Sequence, residues 1–203
     1  MGDLITGASG RALSRKGVET RRRLLEAAEK VFGNLGYYDA SIVKITEAAG
    51  VGQGTFYLYF SSKQEIFDEL VRDLNRRIRK AMKEASSQGK TRIEAELLGF
   101  GGYFEFTSTH PELYSIIRQA AFVSPDIFRY HYERIWTGYV RALRDAKASG
   151  EAGDIDPEVT AWALMSMGEL IGLRWIVWGD GSVPEHVGAE LARIVRSILE
   201  PAT

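Results

Sequence analysis

The stretch from Ser41 to Phe60 constrains this chain more than any other part of it. It reads as two short helices broken by a glycine turn. Ile45, Ala48 and Ala49 give the first helix an apolar stripe at a spacing of three to four. Gly50 follows directly, where a helix can end in a left-handed residue at little cost, and the apolar Val51 can plug the corner. Gly52 and Gln53 then open a second short helix carrying Thr55, Phe56, Tyr57, Tyr59 and Phe60. Phe56 and Phe60 share one face and can anchor that helix. Thr55, Tyr57 and Tyr59 fall outside the anchor and are left for other contacts. Helix, tight glycine-containing turn, helix is the helix-turn-helix pattern.

The second helix of such a unit can enter the major groove of DNA. The same pattern also serves as a plain structural corner, and spacing alone leaves both readings open. A nucleotide-binding glycine loop made of Gly50, Gly52 and Gly54 is excluded, because that loop needs a preceding strand and the residues before it read as helix. The chain has 203 residues and no cysteine, so it has neither disulfides nor a thiolate metal site. The most apolar window, Ala161 to Trp178, contains Glu169 and Arg174, which argues against a membrane span. A cytoplasmic protein is expected. Net charge is only −1, but residues 1–80 hold 14 Lys and Arg against 10 Asp and Glu, while residues 81–203 hold 12 against 17. A mildly basic front on an acidic back fits phosphate contact at one end.

Residues 1–16 lack apolar periodicity and are expected to form a disordered arm, basic at Arg11, Arg15 and Lys16. Glu19 to Leu35 is a strongly amphipathic helix in which Leu24, Leu25, Ala28, Val31, Phe32 and Leu35 recur at three and four. Arg21, Arg22 and Arg23 lie on its first turns, either as a solvated face or facing a phosphate strand. After Phe60, Ser61 or Ser62 can cap a long helix striped by Ile66, Phe67, Leu70, Val71, Leu74 and Ile78.

The strings TRRRLLEAAEKVFGNLGY and ITEAAGVGQGTFYLYFSSKQEIFDEL set Ala28, Phe32, Gly36, Tyr37, Ile45, Ala48–Val51, Gly54–Tyr57, Tyr59, Phe60, Lys63 and Glu65 at fixed spacing across three helices. On those residues, the segment 20–70 resembles the DNA-binding domain of the tetracycline-repressor (TetR) family of bacterial transcriptional regulators. The resemblance implies an all-α fold: a helix-turn-helix domain at 17–62, then a larger effector-binding and dimerisation domain at 63–203. It implies operator DNA as partner, with Ser41, Gln53, Gly54, Thr55, Tyr57, Tyr59 and Lys63 at the interface. Gln53 can pair bidentately with adenine, Thr55 can meet a thymine methyl or a phosphate, and tyrosine hydroxyls suit phosphate oxygens. Two departures matter: Ala40 replaces a common Thr, and Gly52 stands where Ser is common.

Beyond Lys90 the chain reads as helices broken at His110-Pro111, at Ser124-Pro125, around Gly150 to Gly153, at Asp156-Pro157 and around Gly179 to Pro184. An effector pocket is expected among them. It would be lined by Tyr103, Phe104, Phe106, Tyr114, Phe122, Phe128, Tyr132, Trp136 and Trp175, with Arg118, Glu169 and Arg174 as polar fixers. For any single aromatic the competing reading is ordinary core packing. The resemblance further implies a homodimer through the last two helices, about 156–178 and 183–199, and a repressor released from DNA by a small apolar or amphipathic effector. No cofactor or metal is expected. The rival readings are a helical protein-interaction adaptor and an enzyme; for the latter the sequence lacks a nucleophile elbow, a two-His zinc motif and a phosphate loop, and His110, His131 and His186 are isolated from one another.

Overall fold

The structure, a computed structural model, describes Ala8 and residues 12–201. Among these residues there are nine α-helices and no strand. By packing, the chain divides into two compact units. One holds the described residues up to Leu74 together with Ser115–Arg129; the other holds Asn75–Tyr114 and the described residues from Tyr130 onward.

The first unit begins with α1 (Arg15–Asp39), whose N-cap is Ser14; the Gly17 N–H donates to Ser14 Oγ at 3.2 Å. This cap starts the helix earlier than the expected Glu19, so Arg15 and Lys16, read as the end of a disordered arm, are helical. Most of that arm lies outside the described residues. Leu24, Leu25, Ala28, Val31 and Phe32 are buried as their spacing predicts, whereas Leu35 is exposed. The reason is Gly36, which turns the chain at φ 77° just beyond it. α2 (Ile42–Ala49) is capped by Ser41 and ends at Gly50 in the left-handed region, φ 63°. There Gly50 N–H donates to Glu47 O and Val51 N–H to Thr46 O, closing the helix end. Ala48, expected on the apolar stripe, is exposed, and Thr46 is buried instead with its hydroxyl donating to Val43 O at 2.9 Å.

α3 (Gln53–Phe56) is shorter than expected, because the chain passes into turns at Tyr57–Tyr59. Phe56 and Phe60 are nevertheless both fully buried, with ring centroids 5.7 Å apart. α4 (Lys63–Ser86) starts where Ser62 Oγ accepts the Glu65 N–H, while the Glu65 carboxylate reaches back to the Ser61 N–H at 2.6 Å. Ile66, Phe67, Leu70, Val71 and Leu74 are fully buried, which is why the first half of α4 packs with this unit. The unit is completed by the later part of α6 (Glu112–Val123) and the start of α7 (Pro125–Ser149). Gln119 on α6 accepts the Tyr37 N–H and donates to Phe32 O, so it satisfies backbone groups freed where Gly36 breaks α1.

The second unit contains the rest of α4, α6 and α7 with α5 (Arg92–Thr109), α8 (Pro157–Gly172) and α9 (Glu185–Leu199). A π-helical turn, Leu173–Val177, extends α8. Asp156 caps α8 through bonds from Glu158 and Val159 N–H. The core gathers Phe100, Val140, Leu143, Ala161, Leu164, Leu191, Val195 and Leu199. Small residues decide how closely the helices pack. A Cβ on Gly102 would lie 2.9 Å from Ala81 O, so α5 rests on the α4 backbone there. Gly168 and Gly172 also mark a close approach, but the occupants are rings: Phe100 against Gly168, and the Tyr114 hydroxyl against Gly172.

Candidate functional site

The segment expected to read DNA, Gln53–Tyr59, called the recognition segment below, sits on the aromatic anchor. Phe56 and Phe60 point into the unit, and this turns Gln53, Gly54 and Tyr57 outward, where all three are exposed; Thr55 and Tyr59 are half-buried. Tyr57 is 52% exposed although its ring packs edge-on against Phe56. Gly52 offers no side-chain cap at the start of α3. Ser41 Oγ accepts the Lys44 N–H at 3.2 Å, which leaves its own proton free to donate outward.

Lys63 has a different environment from its neighbours in the motif. Its ammonium donates to Tyr37 O at 2.8 Å and Ala40 O at 2.9 Å and lies over the Tyr37 ring. It thus caps the carbonyl end of α1, where a cation also meets the negative pole of the helix. The arginine run on α1 divides by contact. Arg21 pairs with Glu69 at 2.6 Å and covers the Phe60 ring, tying α1 to α4. Arg23 donates to Ala49 O and closes the end of α2. Arg22 pairs with Glu19 and Glu26 on its own exposed helix face. The motif reading missed Leu58, which is 65% exposed on the recognition segment and whose carbonyl accepts the Ala8 N–H. An apolar residue between Tyr57 and Tyr59 was its signal.

The twelve residues expected to line an effector pocket do not form one set. Tyr103, Tyr114, Tyr132 and Glu169 come together: Tyr103 Oη donates to Tyr114 Oη at 3.0 Å, Tyr114 to Glu169 O, and Tyr132 to a Glu169 carboxylate oxygen at 3.0 Å. Burial, reinforced by Tyr114, pushes the Tyr103 phenol well above its ordinary range. Phe104 stacks on Phe100, and Phe106 packs against His110. The Trp136 indole N–H reaches Glu158 O at 3.4 Å, and Arg174, which is exposed, covers the Trp175 ring. Arg118, Phe122 and Phe128 belong to the first unit; Arg118 and Phe122 are exposed there, and Phe128 is half-buried.

A cavity of about 370 Å³ lies elsewhere in the second unit. α4 lines it with Arg79, Met82, Lys83 and Ser86, and α5 with Arg92, Ala95, Glu96 and Gly99. α7 adds Arg134, Ile135, Gly138, Tyr139 and Ala142. Glu96 is only 1% exposed and pairs with Arg92 at 2.7 Å, but its Oε1 has no partner. Burial pushes the Glu96 carboxyl above its ordinary range, against the pull of Arg92 and the Tyr139 hydroxyl. The signal was present in the sequence as Arg79, Lys83 and Ser86 on one helix face and Arg92, Glu96 and Gly99 on another. An aromatic-centred search passes over it.

A sequence model described as bacterial regulatory proteins, tetR family, matches residues 24–70. The chain is 48% identical over 184 residues to YdgC of Bacillus subtilis (strain 168), an uncharacterized HTH-type transcriptional regulator, covering 89% of this chain and 92% of that protein. It is 26% identical over 161 residues to the fatty acid metabolism regulator protein of the same bacterium, covering 70% and 82%. Its fold matches the crystal structure of the B. subtilis transcriptional regulator FadR in complex with stearoyl-CoA, with TM-score 0.74, 19% identity and coverage of 86% and 96%.

Proposed function

The chain belongs to the tetR family of bacterial regulatory proteins, and from that premise we propose that it is an effector-responsive repressor reading operator DNA with Gln53–Tyr59. The observation that supports this reading is the division of labour in that segment: Phe56 and Phe60 are fully buried, while Gln53, Gly54 and Tyr57 face outward. Gln53 offers the amide pair that matches an adenine edge, and Tyr57, Tyr59, Thr55 and the Ser41 hydroxyl suit phosphate oxygens. The missing side chain at Gly54 lets the backbone approach a phosphate closely. Lys63 serves this interface by holding α4 against the end of α1.

Reading is done by a homodimer. α8 presents Val159, Trp162 and Leu170 as an exposed apolar face, with Trp178 beyond it. Pairing this face and α9 with their copies buries it and sets two recognition segments roughly 34–36 Å apart, one turn of DNA. A regulator of this kind responds to an effector only if the effector binds the DNA-incompetent state better. α4 runs through both units, so an effector that shifts α4 changes the spacing of the two segments. FadR, whose structure holds stearoyl-CoA, makes amphipathic acyl compounds the first class to try.

Electrophoretic shift with genomic fragments tests the reading. A retarded duplex, lost in Tyr57→Ala with an unchanged circular dichroism spectrum, is the expected result. Equal retardation by wild type and Tyr57→Ala, or none by wild type, counts against it.

A further inference from the structure

The cavity between α4, α5 and α7 has three properties that together specify a ligand. The first is charge. Arg79, Lys83, Arg92 and Arg134 line it against one carboxylate, Glu96, which is already paired with Arg92. Three cations therefore face the space with no lining acid to match them. Their crowding is felt locally: burial, then repulsion from Arg134, holds the Arg79 guanidinium below its ordinary range. The second is an under-satisfied acceptor. Glu96 Oε1 is buried and makes no hydrogen bond of good geometry, the Tyr139 hydroxyl being the side chain besides Arg92 that pulls on the carboxyl, so a well-placed ligand donor there gains. The third is the rest of the lining, which Met82, Ile135 and Ala142 make apolar and Gly138 and Gly99 leave open. Among the described lining residues Tyr139 supplies the one aromatic ring, so the wall suits an aliphatic body better than a stacked one. At about 370 Å³ the space is at the small end for ligand pockets.

We propose that this cavity binds a medium-chain aliphatic hydroxy acid, its carboxylate among Arg79, Lys83 and Arg134 and its hydroxyl donating to Glu96 Oε1. An acid without the hydroxyl leaves Oε1 unmet, and a neutral alcohol leaves the cations unmet, so both features of the ligand are needed. Because Arg79 and Lys83 stand on α4, the bound carboxylate pulls on the helix invoked above for the response. That regulatory consequence rests on the repressor reading; the binding itself does not.

Calorimetric titration of the full chain with 3-hydroxydecanoate, decanoate and 1,3-decanediol tests the assignment. The hydroxy acid is expected to bind, with decanoate and the diol each weaker by at least about tenfold. Arg134→Gln, at an exposed position, narrows the gap between the acid and the diol. Gly138→Leu abolishes binding without loss of fold, since a Cβ at Gly138 meets nothing within 4 Å and the change removes a mid-helix glycine. Equal affinity for decanoate and its hydroxy analogue overturns the proposal. So does full affinity in Gly138→Leu with an unchanged melting temperature, or the absence of binding by all three probes. Operator affinity is read separately by fluorescence anisotropy: preferential binding of the hydroxy acid with unchanged DNA affinity supports the site and removes the effector reading alone.

Discussion

The recognition segment and the tyrosine cluster of the second unit are both rich in hydroxyls, yet they spend them differently. In the first unit the aromatic anchors are pure hydrocarbon, Phe56 and Phe60, and the tyrosine beside them stays 52% exposed. In the second unit Tyr103 donates to Tyr114, and Tyr114 and Tyr132 each donate to Glu169. A hydroxyl already bonded inside a protein offers little to a visitor, because a ligand must match the bond it displaces. The same residue type thus marks an outward surface in one unit and a satisfied interior in the other. Tyrosine count alone does not locate a site; the state of the oxygen does.

The contrast is sharpest at Phe56. Phe56→Ala empties a fully buried site and is expected to cost about 3–5 kcal/mol, read from urea unfolding. Tyr57→Ala, one residue on, should leave stability within about 0.5 kcal/mol and act on DNA binding instead. Similar losses at the two positions would dissolve the distinction between anchor and reader.

In the second unit the largest expected effect is electrostatic. His131 is buried beside Asn75 and Arg79, and burial followed by Arg79 depresses its pKa from 6.5 to about 4. Above pH 6.5 it is neutral in both folded and unfolded chains. As pH falls from 6.5 to about 4 the unfolded chain takes up a proton that the folded one refuses, so stability falls through that window. The loss amounts to something on the order of 3 kcal/mol by pH 4. Urea midpoints of wild type and His131→Gln across this range check it: the wild-type slope should flatten in the variant.

Lys63→Ala separates two roles for one side chain. If the ammonium holds the end of α1, as its bonds to Tyr37 O and Ala40 O indicate, the variant loses roughly 1.5–3 kcal/mol of stability. Weaker DNA binding at unchanged stability would return Lys63 to the phosphate. The smallest effect is at Gly50, whose φ of 63° makes Gly50→Ala cost about 1–2 kcal/mol in thermal unfolding.

Periodicity and motif spacing made much of the front unit legible down to single residues, because its main anchors answer local rules. Ser41 as a cap, Gly50 as a left-handed stop, and Phe56 with Phe60 as anchors are all local in sequence. Ala48 and Leu35 escaped, since exposure there depends on where the chain turns next. The second unit resisted for a different reason. Whether Tyr114 faces a ligand or bonds to Glu169 is decided by partners 55 residues away. The Glu96 cavity escaped in the same way. It is built from three helix faces whose charges look, one helix at a time, like an ordinary solvated surface.

Selection of bound duplexes from a random-sequence pool by the full chain asks directly whether the outward residues of Gln53–Tyr59 read DNA. The expected result is an enriched, twofold-symmetric sequence with half-sites about one helical turn apart, lost with Gln53→Ala and Tyr57→Ala. A pool that yields no enriched sequence, or one that both variants enrich as wild type does, contradicts it.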